Sequence, residues 1–506
     1  TPSACCARRA NFDETRGAEA RVRFARMSFS GRTRAAVPFG EAVRTWCRVA
    51  ALSFGGPAGQ IAVMHRILVE EKRWISEERF VHALNYCMLL PGPEAQQLAT
   101  YVGWLLHRIR GGLVAGVLFV LPGFLSILVL SVLYAHFQQT HLVQALFFGV
   151  KPAVLAIVLG AVWRIGVRVL RRGMLVAVAA AAFAAVFLFQ LPFPLLIVSA
   201  GLFGFVGGRL APEWFCVAGQ ARQAARQGDG VQPASPPGQR EESERRTMPA
   251  NSGAPLHAST AALHTDRPTF WRSVSLVAVF GVLWFGPLGL LGASLGWSSV
   301  YAQQGIFFSK AAVVTFGGAY AVLSYIGQQA VERYGWLQPG EMLDGLGMAE
   351  TTPGPLIQVV QFVSFLGAYR NPGPFSPLMG GVVASAITTW VTYVPCFLWV
   401  FLGAPYVERL RGIRSLQAAL STITAAVAGV MLNLAAWFSL HTLFADVETR
   451  QWLAVRLLLP VPESVRPTAC VLAALALLLT FCYQRGMGLT LAVCGALGAL
   501  LYRQAG

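Results

Sequence analysis

SFGGPAGQIAVMHRILVEEKRWISEERFVHALNYCMLLPGPEAQ, residues 53–96, returns in weakened form over residues 315–358. Phe54-Gly55-Gly56 reappears as Phe316-Gly317-Gly318, Glu70 and Trp74 as Glu332 and Trp336, Pro91-Gly92-Pro93 as Pro353-Gly354-Pro355, and Gln96 as Gln358. Every pair is separated by the same interval, 316−54 = 336−74 = 353−91 = 262 residues, so the two copies align without a gap. In both, apolar sequence is interrupted by glycine and proline, which a continuous helix does not tolerate. Repeats broken at matching places in a membrane chain point to a secondary transporter with its binding site at the breaks.

Composition places the repeat in a bilayer. A chain of 506 residues that is 55% hydrophobic and only 12% charged is excluded from the soluble globular class. Runs such as residues 112–134 and 381–403 exceed the roughly 20 apolar residues that cross a membrane. The fold class expected is an all-α polytopic membrane protein with about 13 apolar segments, arranged as two inverted-topology repeats of broken or re-entrant helices. The formal charge of +17 reads as membrane topology rather than nucleic-acid binding, because most of it is arginine in loops and polar segments. Only three lysines occur, Lys72, Lys151 and Lys310, and the last two sit inside apolar runs. The nine cysteines show no metal spacing, so neither a metal nor a disulfide framework is expected.

Outward from the repeats, residues 1–37 are a basic tail without an apolar core, expected to be cytoplasmic rather than a secretory signal. Residues 38–208 form the first repeat and 209–271 a polar linker expected to be disordered and cytoplasmic. Residues 272–302 carry one extra crossing that reverses orientation, and 303–502 form the second repeat. Segment 441–466 is mixed and reads as interfacial, and Trp74 and Trp336 as interface anchors. Cation counts then orient the breaks. If the broken segments are hairpins that return to their own side, the loop with Arg66, Lys72, Arg73 and Arg79 is cytoplasmic and its counterpart, with only Arg333, is external.

A charge at membrane depth needs a reason. Arg48 and Lys310 are a repeat-related pair (310−48 = 262), each six residues before its Phe-Gly-Gly, and are expected to neutralise a dianion together. Helices restarting after a break offer unpaired N–H groups and a positive dipole end, an anion site. Around the breaks, Gly55, Gly56, Gly92, Gly317, Gly318 and Gly354 give backbone access, and Ser53, Gln96, Thr315, Thr352 and Gln358 give side-chain donors. Lys151, beside Pro152, is a further candidate for the anion path. Glu94 and Glu350 have no carboxylate at the repeat-related position, and are candidates for proton coupling.

These residues together resemble the chromate ion transporter family, in its long two-half form. The resemblance rests on SFGGPAGQIA at 53–62, KRW at 72–74, LLPGPEAQQLATYVGW at 89–104, LPG at 121–123 and TFGGAYAVL at 315–323. It implies a multi-pass protein of the bacterial inner membrane that exports chromate with the proton-motive force, with sulfate as structural mimic. The residues alone reach an anion-selective inverted-repeat carrier; a sulfate or dianion exchanger and an oxyanion channel stand as alternatives. No cofactor, no nucleic-acid partner and no enzymatic activity are expected. The partners expected are chromate, sulfate, protons and membrane lipid, the chain acting as a monomer of two fused halves or a homodimer.

Overall fold

The structure, a computed structural model, describes residues 37–211, 214, 270–316, 319–406, 413–452, 455–483 and 486–505. The basic tail, nearly all of the linker, and Gly317 and Gly318 lie outside the described residues. A first unit, Thr1–Ala42, contributes only the opening of helix α1 (Phe39–Leu52) to what is described; the second unit runs from Val43 onward.

Within it, the breaks fall where glycine and proline put them. α1 stops at Leu52 and α2 (Gly56–His65) starts after Gly55, whose φ of +81° suits glycine. α3 (Glu77–Cys87) gives way to Pro91-Gly92-Pro93 before α4 (Glu94–Phe137) begins. α4 is not one rod: His107 and Arg108 leave the helical region, and beyond them the chain folds back, so that Gly103 and Gly111 meet backbone to backbone. α5 (His141–Val169), α6 (Gly173–Phe187) and α7 (Phe193–Leu210) complete the first half.

After α8 (Phe270–Leu295) the pattern repeats. α9 (Val300–Val314) ends before the second Phe-Gly-Gly, and α10 (Ala319–Gln328) follows. α11 (Glu341–Thr351) ends at Pro353-Gly354-Pro355, and α12 (Val359–Arg370) resumes after a single 3-10 turn, Leu356–Gln358. Even the local defects correspond. α2 and α10 each end in a π-helical turn, Arg66–Glu71 and Gln329–Arg333, at matching places in the repeat. α13 (Pro377–Gly403), α14 (Arg414–Leu443), α15 (Pro467–Leu477) and α16 (Met487–Ala505) close the chain. Segment 441–466, expected to be interfacial, holds an antiparallel hairpin of β1 (Val447–Trp452) and β2 (Val455–Pro460).

Six helices are long and apolar enough to cross a membrane, and four shorter apolar helices accompany them among the described residues. The bilayer-facing surface is legible on α4, where Leu113, Val117, Leu121, Leu125, Val129 and Leu133, spaced four apart, are all exposed. The halves exchange partners. α14 packs on α6 and α7 of the first half, while α5 packs on α15 and α16 of the second. Small residues make these approaches: Gly149 lies against Gly498 and Cys494, and Gly429 against the backbone of Ala179. Trp336 departs from its expected role as an interface anchor. It is 2% exposed and stacks on Tyr334 at 4.3 Å between Phe307 and Phe308, because the turn after α10 folds inward.

Candidate functional site: the crossing of the two breaks

The two interruptions meet. The Gly354 N–H donates to the Ser53 carbonyl at 3.0 Å, and the Gly92 N–H donates to the Thr315 carbonyl at 2.7 Å. Because 354−92 and 315−53 are both 262, these are the same bond made twice, each half's Pro-Gly-Pro closing on the other half's helix end. The local reasons also match. Ser53 Oγ donates to Val49 O, and Thr315 Oγ1 to Ala311 O, both at 2.6 Å, so each hydroxyl caps its own helix and leaves its carbonyl for the opposite half. Glycine is needed at the meeting point: Gly354 has φ +103° and a Cβ there would lie 2.9 Å from Gly123 Cα. Gly92 has φ +130°, with Cys396 Sγ and Gln97 Nε2 each 2.7 Å from where a Cβ would stand.

Around this cross-brace lies a buried polar cluster. Gln60 Nε2 donates to Gly354 O at 2.5 Å. Gln358 donates to Gln361 at 2.5 Å and to Thr389 at 3.1 Å, and accepts from the Tyr393 hydroxyl at 2.8 Å. Gln96 donates to Thr100 at 3.1 Å. Tyr320 donates to Glu350 Oε1, while Glu350 Oε2 has no partner and points toward Gly56, 3.7 Å from the place of a Cβ. Gln60 Oε1, Gln96 Oε1, Gln97 Oε1, Ser385 Oγ and Thr388 Oγ1 are likewise buried and unpartnered. Buried polar atoms are normally satisfied, and those of Gln60, Gln96 and Glu350 make the crossing the candidate site. Ser53, Gln60, Gln96, Thr315, Glu350 and Gln358 are at most 4% exposed, so the crossing is closed in this conformation.

The sequence-derived candidates divide accordingly. Ser53, Gly56, Gly92, Gln96, Thr315, Gly354, Gln358 and Glu350 all lie at the crossing or in its buried polar shell. Gly55 caps α2 beside it, Thr352 is spent on a bond to Ala349 O at 3.2 Å, and Glu94 opens α4 half-buried. Arg48 and Lys310 are not brought to it. Arg48 is half-exposed and pairs with Glu71 at 2.8 Å, and Lys310 is exposed. The cations that act on the two coupling candidates sit elsewhere, Arg164 being in electrostatic reach of Glu350 and Arg168 of Glu94. Lys151 stands apart, 3.5 Å from Asp344. Sequence reasoning passed over Gln60, Tyr320, Tyr393 and Asp344. Asp344, a carboxylate inside an apolar segment, was findable by the rule that flagged Lys151. Gln60 lies within the SFGGPAGQIA stretch but was given no site role, and the tyrosines gave no signal, since neutral polar residues are common in membrane helices.

A family model described as chromate transporter matches residues 40–205 and 302–499, the two halves on either side of the linker. The chromate transport protein of Cupriavidus metallidurans is 28% identical over 392 residues, 77% of this chain and 80% of its own length. The chromate transport protein of Pseudomonas aeruginosa is 29% identical over 388 residues, 75% of this chain and 76% of its own. The probable chromate transport protein of Synechococcus elongatus is 24% identical over 384 residues, 76% and 80% of the two lengths. No solved structure matches the chain.

Proposed function

The chain belongs to the chromate transporter family, a family of transporters rather than enzymes, and from that premise we propose that it carries chromate out of the cytoplasm across the inner membrane, driven by the proton-motive force. The observation that carries the reading is the reciprocal pair of backbone bonds, Gly92 to Thr315 and Gly354 to Ser53. Two helix breaks locked to each other form a joint that opens to one side or the other as the halves rock, which is alternating access. A tetrahedral dianion is held there by the restarted helices at Glu94 and Leu356 and by the hydroxyls and amides of Ser53, Gln96, Thr315 and Gln358. Glu350, with one carboxylate oxygen unpartnered, takes the counter-transported proton, and Glu94 the same role nearer the Arg168 side. The two hairpins face opposite sides of the membrane. Arg48 and Lys310, each exposed, attract the anion at the two mouths instead of closing on it together.

The test is uptake of labelled chromate into inverted membrane vesicles, with and without a pH gradient and with sulfate as competitor. Saturable uptake, stimulated by an acidic lumen and reduced by sulfate, is expected. Uptake that never saturates would make the protein a channel. Rates indifferent to the gradient would take proton coupling away from Glu350 and Glu94.

A further inference from the structure

The C-terminal end of α5, where Arg164, Arg168, Arg171 and Arg172 cluster, has two unlike faces. One is apolar to its tip: Trp163 and Val167, 64% and 59% exposed, line a surface groove together with Leu170, Leu477 and Phe481. The other continues the contact with α11. A Cβ on Gly347 would stand 2.6 Å from Val150 and 3.3 Å from Val154, and the helical period carries that line through the buried Ile157 and Ala161 to Arg164 and Arg168. Both arginines are exposed, so the packing along this line opens to water at its end. Unlike Arg48, which is held by Glu71, neither has an ion-pair partner among the described residues. The line leads to the crossing. Glu350 stands three residues beyond Gly347 on α11, in electrostatic reach of Arg164, and Glu94 is in reach of Arg168.

We propose that Arg164 and Arg168, one turn apart on the inward face of α5, form the cytoplasmic capture site through which the transported oxyanion reaches the crossing. The proposal rests on the carrier reading above. Arginines kept only to hold a loop in the cytoplasm could lie on any side of the helix, and arginines snorkelling to lipid headgroups would follow the side that carries Trp163. These two turn away from it. Residues four apart are neighbours on a helix, and two guanidinium forks so placed can both bond the oxygens of one tetrahedral dianion. Their charge has a second use. A dianion approaching the crossing meets the carboxylates of Glu350 and Glu94, and a cation near each offsets the repulsion that would turn it back. A cleft lined by one sign of charge raises the local concentration of the other, so the pair acts on capture rather than on the rocking step that follows.

The experiment measures initial rates of labelled chromate uptake into inverted membrane vesicles, whose outer surface is the cytoplasmic face, over a range of chromate concentrations at low and high salt. Arg164→Gln and Arg168→Gln are each expected to raise KM about tenfold, the lower end of what electrostatic focusing supplies, with turnover at saturation unchanged. Arg164→Lys and Arg168→Lys keep the charge and should keep the wild-type KM. Wild-type KM should rise with salt, and in the double glutamine variant that dependence should flatten. Arg209→Gln is the control. Exposed at the end of α7, with its guanidinium 4.5 Å from the centre of the Phe205 ring, Arg209 contributes charge without lying on α5, and its loss should leave KM as it was. An unchanged KM in the double variant, an equal rise in Arg209→Gln, or a rise that lysine does not reverse overturns the proposal. A wild-type protein that moves no chromate would instead remove the carrier reading, and this proposal with it.

Discussion

The glycines at the breaks differ in what they are for, and the difference is measurable. Gly55 and Gly354 both have positive φ, +81° and +103°, but nothing lies within 4 Å of a Cβ at Gly55, whereas Gly123 blocks one at Gly354. Gly55→Ala should cost only the left-handed conformation, about 1–2 kcal/mol. Gly354→Ala should cost about 1–3 kcal/mol more, because overpacking forces two backbones apart, and with them the bonds to Ser53 and Gln60. Denaturant unfolding in detergent checks the order; equal losses would mean the crossing is looser than drawn. At this scale the sequence was informative about conformation and poor about partners. Proline and glycine act on their own backbone, so the breaks at 55, 92 and 354 could be read directly. The pairing of Arg48 with Glu71 could not be read, because a cation's partner depends on which way a neighbouring turn points. The π-helical turn before Lys72 brings Glu71 to it, and no spacing rule encodes that.

Among the elements, α4 shows how one small residue decides a helix's course. Its first arm returns beside its second only because Gly103 and Gly111 have no side chains; a Cβ on Gly103 would sit 2.4 Å from Gly111 O and 2.7 Å from Ala115 Cβ. Gly103→Leu should therefore destabilise by about 1–3 kcal/mol and splay the Glu94 arm from the Phe137 arm. The loss should appear as faster hydrogen exchange between residues 94 and 106. Unchanged exchange there would show that the fold-back does not depend on close approach. The apolar segments on either side of this turn were legible, since hydrophobicity and length are local properties. The exchange of partners, α14 with α6 and α7, α5 with α15 and α16, was not, because helices in lipid associate through packing that hydropathy does not report. The β1–β2 hairpin escaped for another reason: its polar and apolar residues do not alternate cleanly, so the segment had no period to read.

For the whole molecule, the reciprocal bonds at the crossing and the partner exchange both have the form of a two-fold relation, and under the proposed carrier reading the extra helix α8 would supply the crossing that makes that relation an inversion. The loop between α2 and α3, with Arg66, Lys72, Arg73 and Arg79, should then face the cytoplasm, and the loop between α10 and α11 the outside. Single cysteines at Ser76 and Gln338, both exposed, placed in a background lacking the nine native cysteines, report this directly. An impermeant maleimide should label Ser76→Cys in inverted vesicles only and Gln338→Cys in right-side-out vesicles only. Labelling of both from one face would leave the hairpins parallel. The crossing could then not serve two sides by rocking, since an inverted pair exposes its shared joint to each side in turn and a parallel pair exposes it twice to the same side.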